Sequence, residues 1–360
     1  MKALSPINSM WWIMALLLSI LTGCGGSQNP QLPQATKLPT GTEIVVGFYN
    51  VENLFDTKDN MRTADDDFLP QGRYEWTPEK YQVKLDNLAK AIQSMEGGPE
   101  MLGVAEIENR KVLEDLIKCQ ALQAKGYRIV HDESPDARGI DVGFIYQAQK
   151  FQLETYKVYQ VDLPGNPDFR TREILMVEGK VNGTPIYVIV NHWPSRREGQ
   201  AESEPRRVAA AQKVNQIIQE IQKKDPDPCI LIMGDFNDDP GDKSIAEVIG
   251  AQSKAVSVAN NGFFNPMFDL LDRDRRGTLT YRGKWNLFDQ VLVSEDLLSG
   301  NEGLQYVEGS TKIHSVDLLK VGGDGRSRQM PKRAIYRGEF KENGFSDHFP
   351  VYIRLKVTQD

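Results

Sequence analysis

Several apolar stretches of this chain stop or start at side chains that a buried strand excludes. Ile44-Val45-Val46-Gly47-Phe48 leads into Asn50-Val51-Glu52-Asn53, and Leu102-Gly103-Val104-Ala105 leads into Glu106. Ile186-Tyr187-Val188-Ile189-Val190 ends in Asn191-His192-Trp193-Pro194-Ser195, and Ile230-Leu231-Ile232-Met233 ends in Gly234-Asp235-Phe236-Asn237-Asp238. Two further polar groups precede strand-like runs: Phe288-Asp289-Gln290, and Ser346-Asp347-His348-Phe349-Pro350. Strands that are apolar throughout need cover on both faces, so they demand packed layers of sheet and helix. A single acid at a strand end is ordinarily a turn or cap residue. Many at once predict strand ends meeting along one rim, in an oxygen-rich cleft that also holds two histidines.

Helical patterns fall between these runs. Thr77-Pro78-Glu79 supplies a cap and a first-turn proline ahead of Tyr81, Leu85, Leu88 and Ile92. Val112, Leu113, Leu116 and Ile117 mark a second helix, and Val208, Ala211, Val214, Ile217, Ile218 and Ile221 a third. No repeat or low-complexity break divides the chain after residue 43, which predicts one α/β domain over 43–360. The net charge of −7 gives no global reason for nonspecific nucleic-acid binding, although a local basic patch would suffice for a substrate.

The N-terminus has a different character. Met10–Leu21 is an apolar run too short for a comfortable membrane span, and it ends in Leu21-Thr22-Gly23-Cys24. This resembles the lipobox of bacterial lipoproteins. It implies a signal peptide over 1–24, lipidation of Cys24, and an extracytoplasmic protein anchored to a bacterial membrane (outer membrane or cell surface). Residues 25–42, rich in Gly, Ser, Gln, Asn and Pro, read as a flexible tether. Cys119 and Cys229 read as separate buried thiols.

The rim residues offer oxygen ligands, which suit Mg²⁺, with Mn²⁺ or Ca²⁺ as substitutes, better than zinc. Only four histidines occur in the chain, too few for a histidine-rich cage. Asp235-x-Asn237-x-Asp239 begins like a calcium-binding EF-hand loop, but Pro240 stands at the turn glycine and Ala246 at the bidentate acid.

Taken in order, Asn50-Val51-Glu52-Asn53, Glu106, Arg138-Gly139-Ile140-Asp141-Val142, Asn191-His192-Trp193-Pro194-Ser195, Gly234-Asp235-Phe236-Asn237, Asp289 and Ser346-Asp347-His348 resemble the endonuclease/exonuclease/phosphatase superfamily. That resemblance implies a four-layer α/β/β/α sandwich of two packed mixed sheets flanked by helices. It further implies Glu106 as the principal metal carboxylate, with Asn50, Glu52 and Asp347 as direct or water-mediated ligands. His348 is implied at the scissile phosphate, Asp289 as its orienting carboxylate, Asp235 and Asn237 at the attacking water and a phosphoryl oxygen, and His192 as a second histidine. Arg138, Arg172, Arg196 and Arg282 are candidate contacts to substrate phosphate.

Substrate choice falls to the loops. Residues 311–337 carry seven basic side chains, including Arg326, Arg328, Lys332 and Arg333, against Asp317 and Asp324. The leading expectation is a Mg²⁺-dependent nuclease cleaving DNA or RNA. The alternatives are a phosphatase or phospholipid phosphodiesterase on the same scaffold, and a non-catalytic binding lipoprotein. No protein partner is evident from the sequence.

Overall fold

The computed structural model describes residues 35–274, 277–300, 303–322 and 329–358. The expected signal peptide, Cys24, Arg326 and Arg328 lie outside the described residues. The chain first lays down β1 (Glu43–Leu54), β2 (Met101–Ile107), β3 (Tyr127–His131) and β4 (Asp141–Gln147). Then come β5 (Gln152–Tyr159), β6 (Ile174–Val181), β7 (Thr184–His192), β8 (Ile230–Asp235) and β9 (Phe263–Phe264). A hairpin of β10 (Leu279–Tyr281) and β11 (Lys284–Asn286) precedes β12 (Asp289–Ser294), β13 (Leu304–Tyr306) and β14 (Lys312–Ile313). A second hairpin, β15 (Ile335–Tyr336) and β16 (Glu339–Phe340), leads to β17 (Val351–Val357).

Apart from the two hairpins, these strands make two mixed sheets. One has the order β13-β17-β1-β2-β4-β3, with β14 also on β17, and the other β5-β6-β7-β8-β12-β9. Each contains a parallel pair, β1 with β2 and β7 with β8. Parallel neighbours need a crossover, supplied by helices α1 (Pro78–Ser94) and, in the second sheet, α3 (Gln200–Lys224); α2 (Arg110–Lys118) follows β2. Thr77 caps α1 as its sequence predicts, accepting from the Lys80 amide at 3.4 Å.

The strand period of two explains the layering. Val46, Phe48, Val188, Val190, Leu231, Met233, Val291 and Val293 point between the sheets into one apolar core. The opposite face of the first sheet packs on α1 and α2 through Leu85, Leu88, Ile92, Leu113 and Leu116. The opposite face of the second packs on α3 through Val214, Ile217, Ile218 and Ile221. The order of layers is therefore helix, sheet, sheet, helix, as the resemblance implies.

Residues 36–42, read from composition as part of the tether, are fixed to the body. The Leu38 side chain is buried in the inter-sheet core and its amide donates to Asn182 Oδ1 at 2.6 Å. Gly41 N donates to Val357 O at 2.8 Å. Cys119 and Cys229 are buried and not joined in a disulfide. Among the described residues no helix is long and apolar enough to cross a membrane.

Candidate active site

Strand direction gathers the polar residues. The carboxyl ends of β1 and β2, and of β7 and β8, carry Asn50, Glu52, Glu106, His192 and Asp235. β12 runs antiparallel to β8, so its first residue, Asp289, pairs across from Asp235. β17 runs antiparallel to β1, which places the segment just before it, with Asp347 and His348, at the same rim. Asn50, His192, Asp235 and Asp289 continue the inward-facing alternation of their strands, so all four project between the sheets. Asn50 Nδ2 spans that gap and donates to Asp235 Oδ2 at 3.0 Å.

Four rim residues adopt left-handed backbone although none is glycine: Glu52 (φ 52°), Asn53 (φ 51°), Glu106 (φ 62°) and Asn237 (φ 50°). Such conformations cost of order 1 kcal/mol or more each and persist only where the surroundings fix them. Here the Glu52 amide donates to Asn50 Oδ1 at 3.0 Å, the Asn53 amide to Glu106 Oε2 at 3.0 Å, and the Asn237 amide to Asp235 Oδ1 at 3.0 Å. From α1, the buried Lys84 ammonium donates to the Glu52 carbonyl.

The two histidines are held in opposite states. His348 Nδ1 meets Asp289 Oδ2 at 2.7 Å, while its Nε2 lies 3.9 Å from both Asp235 Oδ2 and Asp347 Oδ1. Burial alone would lower its pKa. Asp289, Asp235 and Asp347 outweigh that and raise it well above the usual imidazole value, so this ring is cationic. His192 Nε2 lies 3.9 Å from Glu106 Oε1 and 3.7 Å from Asp235 Oδ2, and its Nδ1 is buried without a hydrogen-bond partner. Burial, with Arg172, Arg138 and His348 adding to it, holds its pKa well below normal, so this ring is neutral. Asp235 is pushed up to about 7 by burial and by Asp289.

A divalent cation fits this donor set. The ligand atoms of Asp235, Asp289 and His348 lie within 4.8 Å of one another. The tight bond between a cationic His348 and Asp289 makes that trio a dyad facing a carboxylate, not a cage. The open acidic side is formed by Glu106, whose Oε2 takes the Asn53 amide and whose Oε1 meets His192 alone among the described residues, at 3.9 Å, and by Asp347 Oδ1. A second grouping, His131, Glu133 and Asp141, is accounted for by a 3.0 Å bond from His131 to Asp141 and by the Ser134 amide on Asp141 at 2.9 Å.

Other expected residues take different partners. The Glu52 carboxylate turns to the backbone of a distant segment, accepting from Ala334 N at 2.6 Å and Ile335 N at 3.3 Å. Burial and Asp347 push it up to about 8. Asn237 Nδ2 donates to the Trp193 carbonyl at 2.9 Å, which also receives Arg172 Nη2 at 2.6 Å. Arg172 further holds Asp136, on whose carboxylate the Arg138 amide also rests at 3.0 Å. Arg282 sits exposed at the tip of the β10–β11 hairpin, against Tyr281.

Arg196, expected at a phosphate, is committed instead to the chain itself. Its guanidinium donates to the Asn237 carbonyl at 2.7 Å, to buried Asp238 at 2.7 Å and to Asp242, and it covers the Phe288 ring. Arg196→Ala is therefore expected to cost roughly 2–4 kcal/mol in urea unfolding, as for other broken buried ion pairs, with little change in KM. Unchanged stability with a raised KM would place this arginine on the substrate.

Lys84 was missed from the sequence. A signal existed, because Lys84, Leu88 and Ile92 share one helical stripe at i, i+4, i+8. Trp193 is core rather than rim, 1% exposed and edge-on to Phe236.

The raised acids set a pH dependence. Glu52 and Glu108 near 8, Asp235 near 7 and the raised His348 all bind protons more tightly folded than unfolded. Stability of the metal-free protein should then fall between roughly pH 6.5 and 8, above the range where His192 and His314, both depressed by burial, act. The rise in Tm on adding Mg²⁺ should be larger at pH 8 than at pH 6.5. A Tm that increases over that window without metal would refute the assignment.

Comparison with known proteins follows the geometry. The sequence pattern described as "Endonuclease/Exonuclease/phosphatase family" matches residues 45–357. Among solved structures, truncated Caenorhabditis elegans TDP2 is similar at 16% identity and TM-score 0.51, over 88% of this chain and 98% of that one. The human Nocturnin catalytic domain with bound sulfate is similar at 13% and 0.51, over 88% and 95%. A Bacteroides vulgatus endonuclease/exonuclease/phosphatase is similar at 15% and 0.51, over 88% and 99%. No curated protein gives a match.

Proposed function

Since the chain belongs to the endonuclease/exonuclease/phosphatase family, we propose that it is a divalent-metal-dependent phosphodiesterase acting on nucleic acid. The observation that carries this reading is the buried Asp289–His348 pair, bonded at 2.7 Å, facing Asp235 and adjoining the open carboxylate Glu106. Hydrolysis of a phosphodiester needs an in-line water, neutralised phosphoryl oxygens and a stabilised leaving oxygen. Asp235, fixed by Asn50 and by the Asn237 amide, accepts the proton of the attacking water as the water oxygen bonds to phosphorus and the bond from phosphorus to the leaving oxygen breaks. The cationic His348 donates from Nε2 to a phosphoryl oxygen as negative charge grows there, and Asp289 keeps the ring charged and aimed. His192, neutral and buried, contributes a hydrogen bond at the same face. Glu106, with Asp347 and Asn50 of the same rim, would hold Mg²⁺ or a similar ion, which would supply neutralisation of the charge that grows on the phosphate.

Basic residues around the cavity beside Asp347, namely Lys332, Arg333 and Lys341, support nucleic acid as the ester. A similar solved structure, Danio rerio TDP2 at 13% identity, is described as complexed with a single-strand DNA product. The reading extends to location: an extracytoplasmic enzyme held to a bacterial membrane through lipid on Cys24.

The test incubates the protein with plasmid DNA, RNA, inositol phosphates and sphingomyelin in parallel, with Mg²⁺ or EDTA. Nicking or RNA degradation abolished by EDTA and restored by Mg²⁺ is expected. Release of phosphate or phosphocholine with nucleic acid untouched would make the substrate a different phosphate ester.

A further inference from the structure

Next to Asp347 lies a cavity of about 610 Å³. It is walled by residues 321–322 and 330–333, by the second hairpin and the turn that follows it, and by the middle of β10. Its size falls within the ~300–1,000 Å³ typical of small-ligand pockets. Met330 and Pro331 give it an apolar wall, and Tyr336 stands half exposed at its edge.

Its charge is unusual for a chain of net −7. Among the described residues three cations, Lys332, Arg333 and Lys341, line it against the single carboxylate of Asp347. Arg333 is engaged where the cavity meets the active site, 2.6 Å from Asp347 and 3.8 Å from Glu52. Lys341 pairs with the exposed Glu339. Lys332 makes no ion pair among the described residues; its ammonium lies 5.8 Å from the centre of the Phe345 ring. A cation with no acidic partner among the described residues, on the wall of a cavity that reaches Asp347 at the active-site rim, is arranged for an anion.

We propose that this cavity is a substrate subsite, holding the nucleotide that adjoins the scissile phosphate on the Asp347 side, with Lys332 on that nucleotide's own phosphate. The apolar wall and Tyr336 suit a base and sugar, and the cations suit the flanking phosphate. A phosphocholine headgroup fits poorly, because its quaternary ammonium would enter among three positive charges. The proposal rests on the nucleic-acid reading above.

The experiment compares the full-length wild type, Lys332→Ala and Lys332→Arg on a single-stranded octadeoxynucleotide and on bis-p-nitrophenyl phosphate, which has no flanking nucleotide. The Lys332 backbone bonds to Leu319 and Phe345 survive either substitution. Lys332→Ala is expected to raise KM for the oligonucleotide about tenfold with kcat within about twofold, and to leave the small diester unchanged. It should also flatten the salt dependence of oligonucleotide KM by a log–log slope of about 0.7, one single-strand phosphate contact. Lys332→Arg should retain most of the wild-type KM. Equal effects on both substrates, or none on the oligonucleotide, while the wild type cleaves it, would overturn the subsite alone. A wild type that turns over the small diester but not the oligonucleotide would overturn the nucleic-acid reading, and the subsite with it.

Discussion

His348→Ala is expected to lower kcat on a phosphodiester by about three orders of magnitude, the scale of losing a positioned acid together with a charged hydrogen-bond donor. The size of the effect follows from how the ring is held. Three carboxylates surround it and Asp289 fixes Nδ1, so the whole arrangement maintains one cation pointing at the site. Alanine also strands Asp289, which is fully buried and whose Oδ1 already has no partner, so some stability is lost as well. His348→Asn separates the two effects. Its amide retains a donor for Asp289 but carries no charge, so it should recover stability in urea unfolding and remain almost as inactive as alanine. A folded His348→Asn or His348→Ala protein with near wild-type turnover would sink the assigned role.

Glu106→Gln is the second large effect. Glu106 is the rim carboxylate with one oxygen taken by a backbone amide and the other left open, and glutamine preserves its volume and its bond to Asn53. The fold should survive, because glutamine Oε can still accept that amide and hold the left-handed turn. What is lost is the charge that draws a divalent ion. Wild-type protein should gain Tm with rising Mg²⁺ as binding to the folded state dictates, and the variant should gain little. Activity at fixed Mg²⁺ should fall by about 10²–10³-fold, the scale of losing electrostatic stabilisation of the transition state. A variant that keeps the wild-type Mg²⁺ increment in Tm would show that the ion is held elsewhere.

Much of the site is legible because strands have a period of two. Phe48 and Asn50, Val190 and His192, Met233 and Asp235, and Asp289 and Val291 are pairs two residues apart, so the apolar member and the polar one share a face. Where the apolar member is buried between sheets, the polar one must emerge at the edge of that gap. Continuous apolar strands likewise announce two covered faces, and the helical stripes on α1, α2 and α3 supply the cover. The exposed edge strand β5 has no such pattern and passed unseen, since most of its residues face solvent.

Other features depend on contacts that no local pattern encodes. Glu106 falls out of the alternation of β2, and only the left-handed turn at that residue, secured by the Asn53 amide, brings its carboxylate to the rim. Glu52 and Arg196 have the residue types of a ligand and a phosphate contact, yet backbone amides 282 and 283 positions away and the carboxylates of the 238–242 loop claim them instead. Lys84 lies on the apolar stripe of α1, but only the packing of that helix shows that its ammonium ends beside the acids Glu52, Asp347 and Glu106. The layers, the strand faces and the chemical types at the rim are thus legible in local pattern, because burial and periodicity act over a few residues. Only the tertiary structure decided which charges face the substrate and which are consumed by the protein, because opposite charges pair with whatever the folded chain brings within reach.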